Sequence, residues 1–361
     1  MSFKEFETYL KRIKKKDSSI RMYLYHLKAL EKFLGKSLDK LITKKDIEKY
    51  LDHISNLKAN TIILKLITIK IYFKWLYQTK KGYPDIVDFP LPKKNSNGLI
   101  ASDLLTEEEI IKMINACDNP RDKALVSLMY DSAGRISELI NLNIEDLFIE
   151  TDKTGYIVVD GKTGKRQIPL SFSIPSLKNW INSHPLKDNP NSPLFISLKT
   201  HKGNRFGVSG IRFVIYKWKK RAKINKKVFC HLFRHSRLTD LDRKGLSHTA
   251  MKHYAGWSNT SIMPSVYSHF SAQDTKDLIY QADGIIKSKR KRTILEPIVC
   301  VKCNTPNDKT NKYCYLCGLP LDQNSQKEFE IQELVKELIK SDPELSKSIS
   351  IKIEKLKLNR E

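Results

Sequence analysis

Six residues between positions 135 and 267 have the types needed to break a phosphodiester. Arg135 stands in Gly134-Arg135-Ile136-Ser137-Glu138-Leu139 and Lys162 in Gly161-Lys162-Thr163-Gly164. His231 and Arg234 share His231-Leu232-Phe233-Arg234-His235, Trp257 follows Gly256, and Tyr267 precedes Ser268-His269. A phosphodiester nearing its transition state gathers negative charge on its non-bridging oxygens. It also needs a nucleophile and a proton for the departing 5′-oxygen. Arg135 and Arg234 offer planar forks that hold a phosphate bidentately and stay charged at any physiological pH. Losing such preorganised charge typically costs about a hundredfold or more in rate. Tyr267 offers a phenol, which ordinarily titrates near about pH 10 and is a poor nucleophile until cations or a base favour loss of its proton. His231 can accept or relay a proton, and Lys162, on a turn, can donate one to the leaving oxygen. Trp257 adds an indole N–H donor and an apolar wall. This chemistry needs no metal ion.

Taken singly, each residue has a bland explanation: a surface arginine, a satisfied core histidine, one packing tyrosine among 15. The combination is harder to dismiss. The Gly-Arg-Ile-Ser-Glu-Leu, His-Leu-Phe-Arg-His and Gly-Trp…Tyr-Ser-His strings, in this order, resemble those of the tyrosine recombinase (phage integrase) family. The resemblance implies a protein that clamps duplex DNA, with a domain on each side. It implies a catalytic set of Arg135, Lys162, His231, Arg234 and Trp257, with Tyr267 as nucleophile. The tyrosine would form a 3′-phosphotyrosyl enzyme and release a 5′-hydroxyl. The hydroxyl of a partner strand would then attack, with no ATP and no cofactor for the chemistry. Four protomers on two paired sites would exchange strands through a Holliday junction, from a monomer or dimer in free solution, with accessory DNA-binding proteins as further partners. Two features depart from the common pattern. Trp257 stands where most members carry histidine, and Met263-Pro264 lengthens the step to Tyr267, where a proline tends to end a helix. Lys162 is favoured over its turn neighbour Lys165, and Glu138 is expected to orient an arginine or lysine. A type IB topoisomerase and a non-catalytic DNA-binding or architectural protein are the alternatives.

Elements must position these groups. A mainly α fold is expected, opening with a helical DNA-binding domain over residues 1–82 that resembles the family's core-binding (SAM-like) domain. Asp17 or Ser18 can cap a helix stopped by Gly35, Thr43 and Asp46 form a capping box, and Asn60 precedes a longer apolar helix. Lys65, Lys70 and Lys74 fall on faces opposite the apolar positions. A proline-bearing linker follows over 83–101, then a mixed, mostly helical catalytic domain over 102–290, opened by a capping box at Thr106 and Glu109. A small β-sheet is expected there, as a hairpin whose strands flank the glycine turn of Lys162. Helices should resume near Ile174, Ile211 and His231.

With 361 residues the chain can hold two or three domains, each with its own core. Its 65 lysines and arginines against 40 acidic residues give a net charge of +25, which attracts polyanions, nucleic acid foremost. Basic clusters at Lys217–Lys227 and Lys287–Arg292 lie beside the candidate site and are suited to phosphate contacts, which carry no sequence information. No apolar run reaches the roughly 18–20 residues a membrane span needs, and the opening residues lack a secretory apolar stretch, so a cytoplasmic protein without membrane partners is expected.

Of six cysteines, Cys117 and Cys230 read as small core residues. The other four form Cys300-x-x-Cys303 and Cys314-x-x-Cys317, two knuckles whose spacing suits tetrahedral thiolate coordination of one structural Zn2+. A pair of disulfides or a redox motif is the alternative. The module, over 296–322, resembles the zinc ribbons of some archaeal integrase-like recombinases, which points to an archaeal mobile element. A charged helical tail follows over 323–361.

Overall fold

The structure, a computed structural model, describes residues 3–78, 84–93, 100–161, 164–198, 202–266, 276, 279–280, 283–285 and 293–341. It is mostly helical, with two small sheets, and divides into two compact units, Met1–Gly98 and Leu99–Glu361.

The first unit is built from α1 (Phe3–Arg12), α2 (Asp17–Leu34), α3 (Lys44–Ile54) and α4 (Ala59–Leu76). Each turns an apolar face to one core holding Phe6, Leu27, Leu30, Ile47 and Phe73. Burying such a side chain is worth roughly 1.5–3 kcal/mol. The Phe6 ring meets Tyr72 edge-on at 5.1 Å, which ties α1 to α4. Gly35 stops α2 in a left-handed conformation, φ +66°, and donates its N–H to Glu31. Thr43 and Asp46 form the expected capping box. Two starts differ from expectation. Lys16 takes the cap of α2, so Asp17 is already helical, and α4 begins at Ala59, ahead of Asn60. Favourable charge at the first turn replaces a side-chain cap in the first case. Lys65 and Lys70 also depart from expectation, being only half-exposed. Lys65 donates to the Tyr50 hydroxyl at 3.2 Å and Lys70 sits 4.7 Å over the Phe89 ring, since long aliphatic stems gain by covering apolar surface.

The second unit packs α5 (Glu107–Ala116), α8 (Ile174–Asn182), α9 (Val208–Arg221) and α10 (Cys230–Arg243) around α6 (Pro120–Asp131), in which almost every residue is buried. The Thr106–Glu109 capping box opens α5, and Asn119 with Pro120 opens α6. Between α6 and β1 lies the single turn α7 (Ile136–Leu139). The sheet has three antiparallel strands, β1 (Leu147–Ile149), β2 (Gly155–Gly161) and β3 (Gly164–Leu170), one more than the hairpin expected. In the β2–β3 register Val159 faces Arg166 and Gly161 faces Gly164. Beyond α10 come α11 (His248–Ala255) and a short 3-10 turn, Met263–Val266.

Two short strands, β4 (Ile298–Val299) and β5 (Pro306–Asn307), form the second sheet. Buried Asp308 accepts a hydrogen bond from buried Ser176, so this small module is seamed to α8. Glu107 of α5 accepts from Thr293 and from the Ile294 N–H, a second seam. The last described element is α12 (Gln323–Ser341). Among the described residues no helix is long and apolar enough to cross a membrane.

Candidate active site

The site forms around the C-terminal end of α11. A helix leaves its last carbonyls without intrahelical partners, and that end carries partial negative charge. Three successive carbonyls there each receive a different guanidinium. Arg166 Nε donates to Tyr254 O at 3.3 Å, Arg234 Nη2 to Ala255 O at 2.7 Å, and Arg135 Nη2 to Gly256 O at 3.1 Å. Trp257 is the next residue. Gly256 adopts the left-handed conformation that ends the helix, φ +63°, and a Cβ there would lie 2.5 Å from Arg166 Cζ. Both facts favour glycine at this point.

Each arginine reaches this end from a different element. Arg135 caps α7, directly after Ala133 and Gly134. Arg234 projects from α10, 2 % exposed, and also donates to Ala133 O at 2.8 Å. Ala133 holds φ +46°, unusual for a residue with a Cβ, and its carbonyl serves the buried guanidinium. The Arg234 guanidinium lies 5.5 Å from the centre of the Trp257 ring, close enough for a cation–π contact.

Glu138 binds the set together. Its Oε1 accepts from Arg135 Nη1 at 2.9 Å and Arg166 Nη1 at 3.1 Å, while Oε2 accepts from Arg166 Nη2 at 2.9 Å and the Arg135 N–H at 3.0 Å. Burial opposes ionisation of this carboxyl. The hydrogen bonds and charge of Arg166, with those of Arg135, override it and draw the pKa down to about 2. Glu138 therefore orients an arginine, as expected, and it orients two.

His231 keeps an exposed edge at the start of α10. Enclosure of its ring, then the charges of Arg234 and Arg135, lower its pKa from the usual histidine value. A neutral imidazole at neutral pH suits a proton acceptor. His235, one helical turn on, packs edge-on against it at 4.7 Å. Enclosure, followed by the neighbouring His231 and Arg234, depresses the His235 pKa to about 4.

Four of the six expected residues, Arg135, His231, Arg234 and Trp257, thus share one locality. Lys162, Tyr267 and the basic cluster at 287–292 lie outside the described residues. Of the other basic cluster, Lys226 turns inward to Leu104 O and Glu109 and serves the fold, while Lys217 and Arg221 lie 3.3 and 3.5 Å from Asp118 in exposed surface pairs. Lys220, Lys223 and Lys227 stay exposed. Cys117 is a core residue as expected, and Cys230, half-buried at the start of α10, packs against the same core.

Arg166 was not anticipated. Its sign in the sequence is parity: it falls in step with Ile168 and Leu170, on the face of β3 that turns to the core. A charge on such a face needs a buried partner.

The four clustered cysteines also converge. Their sulfurs lie within 4.8 Å of one another, with 3.6 Å between Cys300 and Cys317 and between Cys303 and Cys314. Asn304, φ +55°, and Gly318, φ +74°, close the two knuckles. The arrangement is able to hold a metal ion.

Residues 103–274 match the Phage integrase family, and residues 3–80 match the Phage integrase N-terminal SAM-like domain. Tyrosine recombinase XerA of Pyrococcus horikoshii is 29 % identical over 286 residues, which cover 77 % of this chain and 92 % of the relative. A tyrosine recombinase of Thermosipho africanus is 27 % identical, over 76 % of this chain and 96 % of its own. The fold resembles that of the Tn1549 transposon integrase in complex with transposon right end DNA, with TM-score 0.59 and 18 % identity, covering 78 % of this chain and all of that one. It also resembles the XerH site-specific recombinase bound to its difH substrate, with TM-score 0.57 and 20 % identity, over 77 % of this chain and 84 % of that one. Matched in both its N-terminal and its catalytic parts, and carrying the paired arginines on one helix end, this chain belongs to the phage integrase family of tyrosine recombinases, enzymes that break and rejoin DNA strands.

Proposed function

We propose that the chain performs site-specific recombination on duplex DNA with Tyr267 as nucleophile, Arg135 and Arg234 on the scissile phosphate, His231 as proton acceptor or relay, Lys162 as proton donor to the 5′-oxygen, and Trp257 as a further N–H donor. The observation that carries this reading is the delivery of Arg135 and Arg234, from distant parts of the chain, to the adjacent carbonyls of Ala255 and Gly256. Two fixed positive forks side by side in a partly enclosed site are what a phosphoryl transition state requires. His231 stands in their field, which favours its neutral form. The tyrosine bonds to phosphorus as the 5′-oxygen leaves with a proton, and the 5′-hydroxyl of a partner strand reverses the step. Bond energy is kept in the phosphotyrosine, so strand exchange needs no ATP. Four protomers act on two paired sites, in the service of a mobile element of archaeal origin. The domains are those of residues 1–82, 102–290 and 296–322, with a linker over 83–101 and a tail over 323–361.

The four cysteines hold a structural Zn2+. A tetrahedron of about 2.3 Å Zn–S bonds has edges of about 3.8 Å, near the sulfur separations of 3.6 Å. Four thiolates fill the coordination sphere, so the ion organises a module too small for a core of its own.

A nicked suicide duplex carrying the flanking sequence of the element tests the assignment. Wild-type protein should form a covalent protein–DNA adduct, and Tyr267→Phe should form none. An adduct that persists in Tyr267→Phe removes the tyrosine from its role.

A further inference from the structure

We propose that Arg166 is a positioning residue for strand cleavage: it fixes Arg135 and the Trp257-bearing end of α11 without touching DNA. This rests on the assignment of Arg135 and Trp257 to the phosphate site. The two arginines on Glu138 differ in access. The Arg166 side chain is 7 % exposed and that of Arg135 is 29 % exposed, so Arg135 is the more open of the two, and Arg166 has its Nε and both Nη atoms engaged within the protein. Arg166 spends its donors inward. Nη1 and Nη2 grip the two oxygens of Glu138 as a bidentate fork, and Nε holds Tyr254 O, three residues before Trp257. Glu138 in turn holds Arg135 by both its guanidinium and its backbone N–H. One guanidinium thereby locks β3, α7 and the end of α11 together. Glycines bracket it: a Cβ on Gly161 would lie 2.9 Å from Arg166 Nη1 and 2.7 Å from Glu138 Oε1, and one on Gly256 would lie 2.5 Å from Cζ. Gly161 also immediately precedes Lys162. The packing leaves this fork a single seat, and misplacing a catalytic group by about 1 Å can cost about a hundredfold in rate.

The test measures single-turnover adduct formation and DNA affinity together, on full-length wild type, Arg166→Ala and Arg166→Lys. We expect Arg166→Ala to form adduct about a hundredfold more slowly with Kd within about threefold of wild type, and added guanidinium ion to recover about tenfold of that loss. Arg166→Lys keeps the charge but cannot make the fork, and should be at least about tenfold slower at unchanged Kd, which preserves the test should the alanine variant not fold. Either variant cleaving at the wild-type rate overturns the inference. So does a loss of DNA affinity equal to the loss of rate, which would make Arg166 a DNA contact, or guanidinium restoring thermal stability without rate, which would make it a fold residue only. Failure of wild type to form adduct would instead refute the assignment of the site.

Discussion

Replacing Glu138 with glutamine keeps the shape of the side chain and removes the charge that two arginines share. The effect can be sized from the carboxyl's own titration. Its pKa is about 2 in the folded protein, against 4.5 ordinarily. A folded-state pKa below the unfolded one means that the ionised carboxylate stabilises the fold, fully so above about pH 4.5 and progressively less as pH falls through 2. A displacement of about 2.5 pH units at about 1.4 kcal/mol each gives about 3 kcal/mol at neutral pH. The same relation leaves less than half of that at about pH 3. Urea unfolding of wild type and Glu138→Gln at pH 7 and near pH 3 should show the gap between them shrinking by about 2 kcal/mol as the acid side is reached. A gap that is the same at both pH values would refute the reasoning, since it would mean that glutamine had disturbed packing and not charge. A gap below about 1 kcal/mol at pH 7 would also refute it, because it would place Glu138 in the class of exposed ion pairs.

Gly256→Ala should destabilise the protein by at least about 1–2 kcal/mol, from its left-handed backbone alone. It should also slow adduct formation, because the new Cβ meets Arg166 Cζ at 2.5 Å and must displace the fork; unfolding and single-turnover cleavage measure the two effects separately. Chelation of the metal proposed for the four cysteines should loosen α8 as well as the cysteine module, since Ser176 of α8 is hydrogen-bonded to Asp308. Amide exchange over residues 174–182 should speed up on adding a chelator, and unchanged protection there would uncouple the module from the catalytic unit.

Local rules carried well from sequence to structure, and long-range ones did not. Thr43 with Asp46 and Thr106 with Glu109 cap their helices as expected, because the two partners lie three residues apart and need no tertiary help. Gly35 ends α2 for the same local reason. The three-residue strand β1 was missed, since Leu147–Ile149 is too short to display an alternation and exists by pairing with β2. The basic run before His231 read as one surface, yet Lys226 is spent on Leu104 O and Glu109, residues more than a hundred positions away. The chemical strings gave four members of the site that the structure gathers. Arg166 escaped because its meaning lies in Glu138 and Tyr254, on other elements, and a charged residue beside a lysine turn looks like more surface charge.

The end of α11 has a consequence for how this protein can change over generations. Its three guanidiniums are registered against Tyr254 O, Ala255 O and Gly256 O, atoms that every amino acid supplies. Substitution can vary the side chains of Tyr254 and Ala255 and leave those acceptors in place. The spacing between them is the peptide repeat itself, about 3.8 Å from one Cα to the next. Point mutation cannot erase such a ruler, whereas inserting or deleting one residue between Tyr254 and Gly256 would put the marks out of step with one another. Lineages of this enzyme should therefore hold the length of this segment constant even where one of its letters changes.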